Sequence, residues 1–167
     1  VAPPLEDSAS QPSDIAAAKS PSLDQIKRLE ENGLPTVLPG NVPSGFVLVD
    51  FQEEPPGRFG VSYRARYEGE NSCEFRVSGA TGGWGAPGPI RQWSVQTPLF
   101  GEVVLEEYES EVGENYLLAT MTPSPDFGKV IISDYPEAGY IIGFSCEYGT
   151  FNPEQAAEIL TLMEVVN

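Results

Sequence analysis

The chain reads as an α+β domain: an antiparallel sheet of six or seven strands, preceded by a short helix and followed by an amphipathic one. Three observations predict this. Segments such as GVSYRARYE (60–68) alternate apolar and polar residues with a period of two, as half-buried antiparallel strands do. The spacings between these segments suit hairpins rather than βαβ crossovers. The last apolar stripe, Ala156, Ile159, Leu160 and Met163, falls instead at i, i+3, i+4 and i+7, one face of a helix.

Each element has a local reason. Residues 1–20 hold APP, SASQPS and few large apolar groups, too little to offset the entropy of ordering, and read as a flexible tail or tether. Residues 21–167 then form a single α+β domain. Ser22 and Gln25 have the spacing of a capping box, Leu23, Ile26 and Leu29 form a stripe, and Gly33 supplies a stop, so a short helix is predicted over 22–32. The three prolines and two glycines of LPTVLPGNVPSG enforce an extended connection. Strands are predicted at 46–52, 60–68, 72–78, 101–110, 115–122, 129–134 and 139–148. Val61, Tyr63, Ala65 and Tyr67 share one face of their strand; Cys73, Phe75 and Val77 face inward on theirs, after a tight reversal at EGEN. Asn152 caps the final helix, with Pro153 at its first position, and the stripe carries it over 153–165.

Composition excludes several functions. Nine Lys and Arg against 25 Asp and Glu give a net charge of −16, the wrong sign for nucleic acid or a polybasic membrane contact. There is no His, which removes the commonest neutral-pH acid–base group and metal ligand. No apolar run reaches the roughly 20 residues of a membrane span. The opening VAPPLEDSAS lacks the form of a signal peptide, so a mature exported chain and a cytosolic one both fit. The cysteines favour export. Cys73 and Cys146 lie in two strand segments, each with a phenylalanine on its own parity, and a bridge between them implies an oxidising compartment. Two buried free thiols are the alternative.

Gly83-Trp84-Gly85-Ala86-Pro87-Gly88 spells the G-x-G-x-x-G of a dinucleotide site. The reading fails mechanically: Pro87 and Pro89 occupy what must be the first turn of a helix, removing donors and extending the chain. The stretch 79–94 reads instead as a long glycine-rich loop carrying both tryptophans, Trp84 and Trp93, together with Arg91. These three are the candidate contact residues for a partner, against the alternative that the tryptophans fold back over the sheet. Arg64, Arg66 and Arg76 are expected to pair across strands with Glu68, Glu74 and the Glu-rich segment 102–111 rather than to hold an anion. No catalytic dyad, metal-ligand cluster or cofactor motif is present in the sequence.

The stretch LPTVLPGNVPSGFVLVDF resembles the opening of a bacterial domain of unknown function found in the exported portions of anti-sigma-type membrane proteins and lipoproteins. The strand VSYRARY, the strand CEFRVSG and the closing GYIIGFSCEYGTFNPEQAAEILTLM follow the same layout, over about residues 34–165. The resemblance implies a curved, half-barrel-like sheet similar to that of lipoprotein carriers, with helices across its concave face. It carries over no functional residues. The expected function is a non-catalytic, extracytoplasmic (periplasmic, lumenal or cell-surface) binding or assembly module with an unknown protein partner. The alternative is a carrier or sensor of a lipid or other apolar ligand held between sheet and helix. No enzyme activity, cofactor, metal or nucleic acid is expected.

Overall fold

A computed structural model describes residues 20–57, 60–81, 88–121, 135 and 137–167. In chain order these form α1 (Leu23–Glu31), β1 (Val37–Pro39), β2 (Val47–Gly57), β3 (Gly60–Glu68), β4 (Cys73–Ala80), β5 (Arg91–Thr97), β6 (Gly101–Tyr108), β7 (Tyr116–Met121), β8 (Gly139–Cys146), α2 (Pro153–Thr161) and β9 (Met163–Val165). Seven strands make one antiparallel sheet in the order β2-β3-β4-β8-β7-β6-β5, and β1 pairs with β9 in a separate ribbon. The main sheet is open, with β2 and β5 as its edges.

The predicted faces are present. Val61, Tyr63, Ala65 and Tyr67 are all buried, as are Phe75 and Val77 opposite them. From Val61 on β3 to Val95 on β5 the inner face is buried, and among the described residues two short helices and a two-stranded ribbon cover it. Ala156, Ile159 and Leu160 of α2 are fully buried, and α2 lies against β5. Rings fill the opposite end: Tyr67 stacks on Phe75 at 4.5 Å, and Phe46 and Phe151 meet Phe75 and Phe144 at 5.2 Å each.

Several boundaries differ from the sequence reading. The strand expected at 46–52 runs on to Gly57, because Glu53 and Glu54 still pair with Tyr63 and Ser62; Pro55 and Pro56 are tolerated on an edge, where no ladder donor is missed. Arg91–Thr97 is a strand, whereas 79–94 was expected to be loop. The last helix ends at Thr161 rather than 165. Met163, expected on the helix face, is buried instead from β9, because the chain turns there to pair with β1. Residues 37–39, expected only as an extended connection, supply the other strand of that ribbon. Segments 1–19 and 129–134 lie outside the described residues.

The ribbon is fixed to the sheet by tyrosines. Thr36 C=O accepts from Val166 N–H at 2.8 Å, and Gly40 N–H donates to Leu162 C=O at 2.9 Å. By the alternation of antiparallel ladders, the backbone groups of Val37 and Pro39 therefore point away from β9. Proline is harmless at that position. Val37 needs partners from elsewhere, and the Tyr63 hydroxyl supplies both: it accepts from Val37 N–H and donates to Val37 C=O, each at 2.8 Å. Tyr140 on β8 donates to Pro35 C=O at 2.6 Å. Two sheet residues thus hold three backbone groups of one crossing segment.

Burial raises the phenol pKa values of Tyr63, Tyr67 and Tyr140; for Tyr63 the neighbouring Tyr140 adds to the rise and the Val37 hydrogen bond opposes it. Above about pH 10 these phenols ionise in the unfolded chain but stay protonated in the native one. The unfolded state then binds fewer protons, so native stability is full below pH 10 and falls as pH rises. Tyr67 tests this cleanly, because its hydroxyl has no hydrogen-bond partner among the described residues. Tyr67→Phe is expected to leave stability at pH 7 within about 0.5 kcal/mol of the parent. In urea titrations between pH 8 and 11.5 it should lessen the alkaline loss by up to about 1.4 kcal/mol per pH unit above 10.

Candidate functional site

The two edges of the sheet differ. An edge strand exposes unpaired N–H and C=O groups that template pairing with another chain, and proteins blunt such edges with charge, proline and bulges. β2 uses all three: Asp50, Glu53 and Glu54, then Pro55 and Pro56, with register breaks at Leu48/Asp50 and Glu54/Gly57. The Arg28 guanidinium of α1 pairs with Glu53, placing the helix along the same edge. A cleft of about 320 Å³ between them is lined by Arg28, Leu29, Asn32, Glu53, Pro55 and Val61, among others.

β5 has almost none of these devices along its length. Its sequence, RQWSVQT, contains no proline and one charge. It pairs with β6 without a break from Arg91↔Glu107 to Thr97↔Gly101. Among the described residues no strand pairs with its other side, and its backbone makes no loop or turn hydrogen bond there. The outer face is polar and ordered: Gln92 Nε2 donates to Glu106 at 3.0 Å, and the Ser94 hydroxyl to Glu102 at 2.8 Å. The inner face carries Trp93, half-buried against the core, and Val95 and Thr97, both buried.

The sequence-predicted contact residues fall as follows. Trp93 packs back onto the sheet, so the covering role describes it better than an exposed contact loop. Arg91 is exposed at the start of β5, opposite Glu107, and forms no ion pair among the described residues. Glu107 itself is only 7 % exposed and accepts 3.0 Å from Asn115 Nδ2. Trp84 and most of the glycine motif lie outside the described residues. The β5 edge was missed because glycines and prolines at 79–89 masked the strand behind them. The period-two alternation of Trp93, Val95 and Thr97 against Gln92, Ser94 and Gln96 was the available signal.

The arginines pair with glutamates mainly within their own strands rather than across them as expected, because Arg66 stands opposite Arg76 and Glu68 opposite Glu74. Arg66 pairs with Glu68 and reaches Glu74 at 4.0 Å, Arg76 pairs with Glu74 at 3.3 Å, and Arg64 reaches Glu54 at 3.7 Å. None pairs with 102–111, because β8 and β7 stand between β4 and β6. Among the described residues no three His, Cys, Asp or Glu side chains converge on a metal position, and no helix is long and apolar enough to cross a membrane.

Cys73 and Cys146 form a disulfide across β4 and β8. The adjacent hydrogen bond from Glu147 N–H to Ser72 C=O, 3.0 Å, puts the cysteines at a non-hydrogen-bonded pair, where facing side chains come closest. Their Cα atoms are 3.9 Å apart. Both residues line a cleft of about 530 Å³ at the end of the sheet, with Glu68, Glu74 and Glu147 around it.

No protein family, curated protein or solved structure matches the chain. The two positions of Trp93 and Arg91 can be told apart by stability. Trp93→Ala is expected to cost about 1–3 kcal/mol in urea unfolding, because it strips part of the core cover. Arg91→Ala should change stability by less than about 0.5 kcal/mol. Equal, negligible effects would return Trp93 to the surface.

Proposed function

We propose that this protein is a non-catalytic binding or assembly module of an oxidising, extracytoplasmic compartment. It takes an extended segment of a protein partner as an eighth strand along β5. The observation that carries this reading is the asymmetry of the edge strands themselves: β2 is blunted by charge, proline and bulges, whereas β5, with α2 packed against it, offers seven unbroken, nearly uncharged residues. Strand addition draws affinity from the main chain and selectivity from alternate side chains, here Gln92, Ser94 and Gln96 outside and Arg91 beside them. The disulfide supports the compartment, since such bonds persist where thiols are not kept reduced. The layout resemblance to exported domains of anti-sigma-type proteins and lipoproteins points the same way. A carrier holding a ligand between sheet and helix is less favoured, because Phe144, Ala156, Ile159 and Leu160 already fill that interface at 1 % exposure or less.

The test is site-specific photo-crosslinking in the cells that make the protein, with the reactive group at Ser94 and, as control, at Gln52 on the blunted edge. A discrete adduct is expected at Ser94 and not at Gln52. Proline placed at β5 positions whose N–H points away from β6 should keep the fold and remove the adduct. Adducts at both edges, at neither, or at Ser94 despite the proline would refute strand addition.

A further inference from the structure

We infer that the Cys73–Cys146 bridge is a thiol–disulfide exchange site that admits cationic thiols and disfavours anionic ones, so that a protein oxidoreductase acting on it presents a basic rim around its thiol. The bond sits at the mouth of the 530 Å³ cleft, not sealed in the core: neither cysteine is among the fully buried residues, and both line the opening. Every charged residue lining that cleft is a glutamate, Glu68, Glu74 and Glu147. Glu70, exposed in the adjoining turn Glu70–Ser72, adds a fourth carboxylate nearby. Two cations offset part of this charge. Arg66 and Arg76 are engaged with Glu68 and Glu74 on the polar face of the sheet. Glu147 has no ion pair among the described residues, and the chain as a whole carries −16. The local field is therefore negative, and walls of one sign focus it on the opening.

Exchange proceeds by attack of a thiolate on one cysteine sulfur. A new S–S bond forms to the incoming sulfur, the Cys73–Cys146 bond breaks, and the released cysteine leaves as a thiolate that takes up a proton from water. A second thiolate attacks the mixed disulfide. The protein then holds two thiols, having gained two electrons and two protons, and the reductant leaves as its own disulfide. Negative charge around the cleft acts on both halves of the first step. It repels an incoming anion, and it opposes the anion left on cysteine. An ammonium or guanidinium carried beside the attacking sulfur relieves both, which is why the matching partner is basic. Oxidation runs through the same mixed disulfide in reverse and has the same preference.

The test uses the oxidised full-length chain and three small thiols: cysteamine, 2-mercaptoethanol and 2-mercaptoethanesulfonate. Second-order rates are measured by alkylation and mass, corrected for thiolate concentration and divided by each thiol's rate with an uncharged model disulfide. At about 10 mM ionic strength cysteamine should outrun the sulfonate by about tenfold or more, with mercaptoethanol between them. In about 0.5 M salt the three should converge. Glu147→Gln, at an exposed side chain without an ion pair, should keep the fold and shrink the low-salt ratio by at least twofold. Three results would each overturn the inference: equal corrected rates at low salt, a ratio that salt leaves unchanged, or a bridge that no thiol opens until the protein is unfolded.

Discussion

The structure depends on one backbone problem and its solution. A segment that crosses the open face of a sheet brings peptide groups into the core, where an unpaired donor or acceptor costs about 1–3 kcal/mol. Here residues 35–37 make that crossing. Val166, just past their ribbon partner β9, donates to Thr36 C=O, and the Val37 N–H, Val37 C=O and Pro35 C=O fall to Tyr63 and Tyr140. Because Tyr63 stands on β3 and Tyr140 on β8, two strands on either side of β4 hold the segment. The segment in turn holds β9 and, through it, the end of α2. The helix therefore covers the sheet by way of the tyrosines as well as by its own apolar stripe.

This explains which parts of the fold were legible in the sequence. Period-two segments that pair with immediate neighbours, such as Gly60–Glu68 with Cys73–Ala80, announce both their faces and their partners. The capping box at Ser22 and the Asn152-Pro153 start are equally local; Ser22 accepts from Gln25 N–H at 3.2 Å and Asn152 from Glu154 N–H at 2.8 Å, as such caps require. The β1–β9 ribbon was hidden because its strands are three residues each and more than a hundred residues apart, and one contains a proline. The helical stripe of α2 ran through Met163 by coincidence of spacing: a residue can continue an apolar period and be buried from a different element. At the candidate site, the strand containing Arg91 and Trp93 was hidden by its neighbours in sequence, not by its own pattern.

The same physics sorts the surfaces by what they are able to do. The Arg–Glu ladder of β2, β3 and β4 satisfies itself and leaves little charge to recruit a ligand. β2 carries charge, proline and register breaks, whereas β5 has neither proline nor break along its length. The disulfide joins β4 and β8 at their ends and lines the cleft there. Strand addition at β5 and thiol–disulfide exchange at the ends of β4 and β8 involve different residues, so either proposal stands or falls without the other.

The tyrosine hydroxyls make ribbon, helix and sheet one cooperative unit. Native-state hydrogen exchange of Val37 and Val166 tests it most directly, measured in the parent and in Tyr63→Phe. In the parent both amides should exchange only through the same global opening as the β4–β8 ladder. In Tyr63→Phe both should open locally, well below the free energy of that ladder. Exchange of the ribbon amides far faster than the ladder in the parent, or no change on removing the Tyr63 hydroxyl, would contradict it.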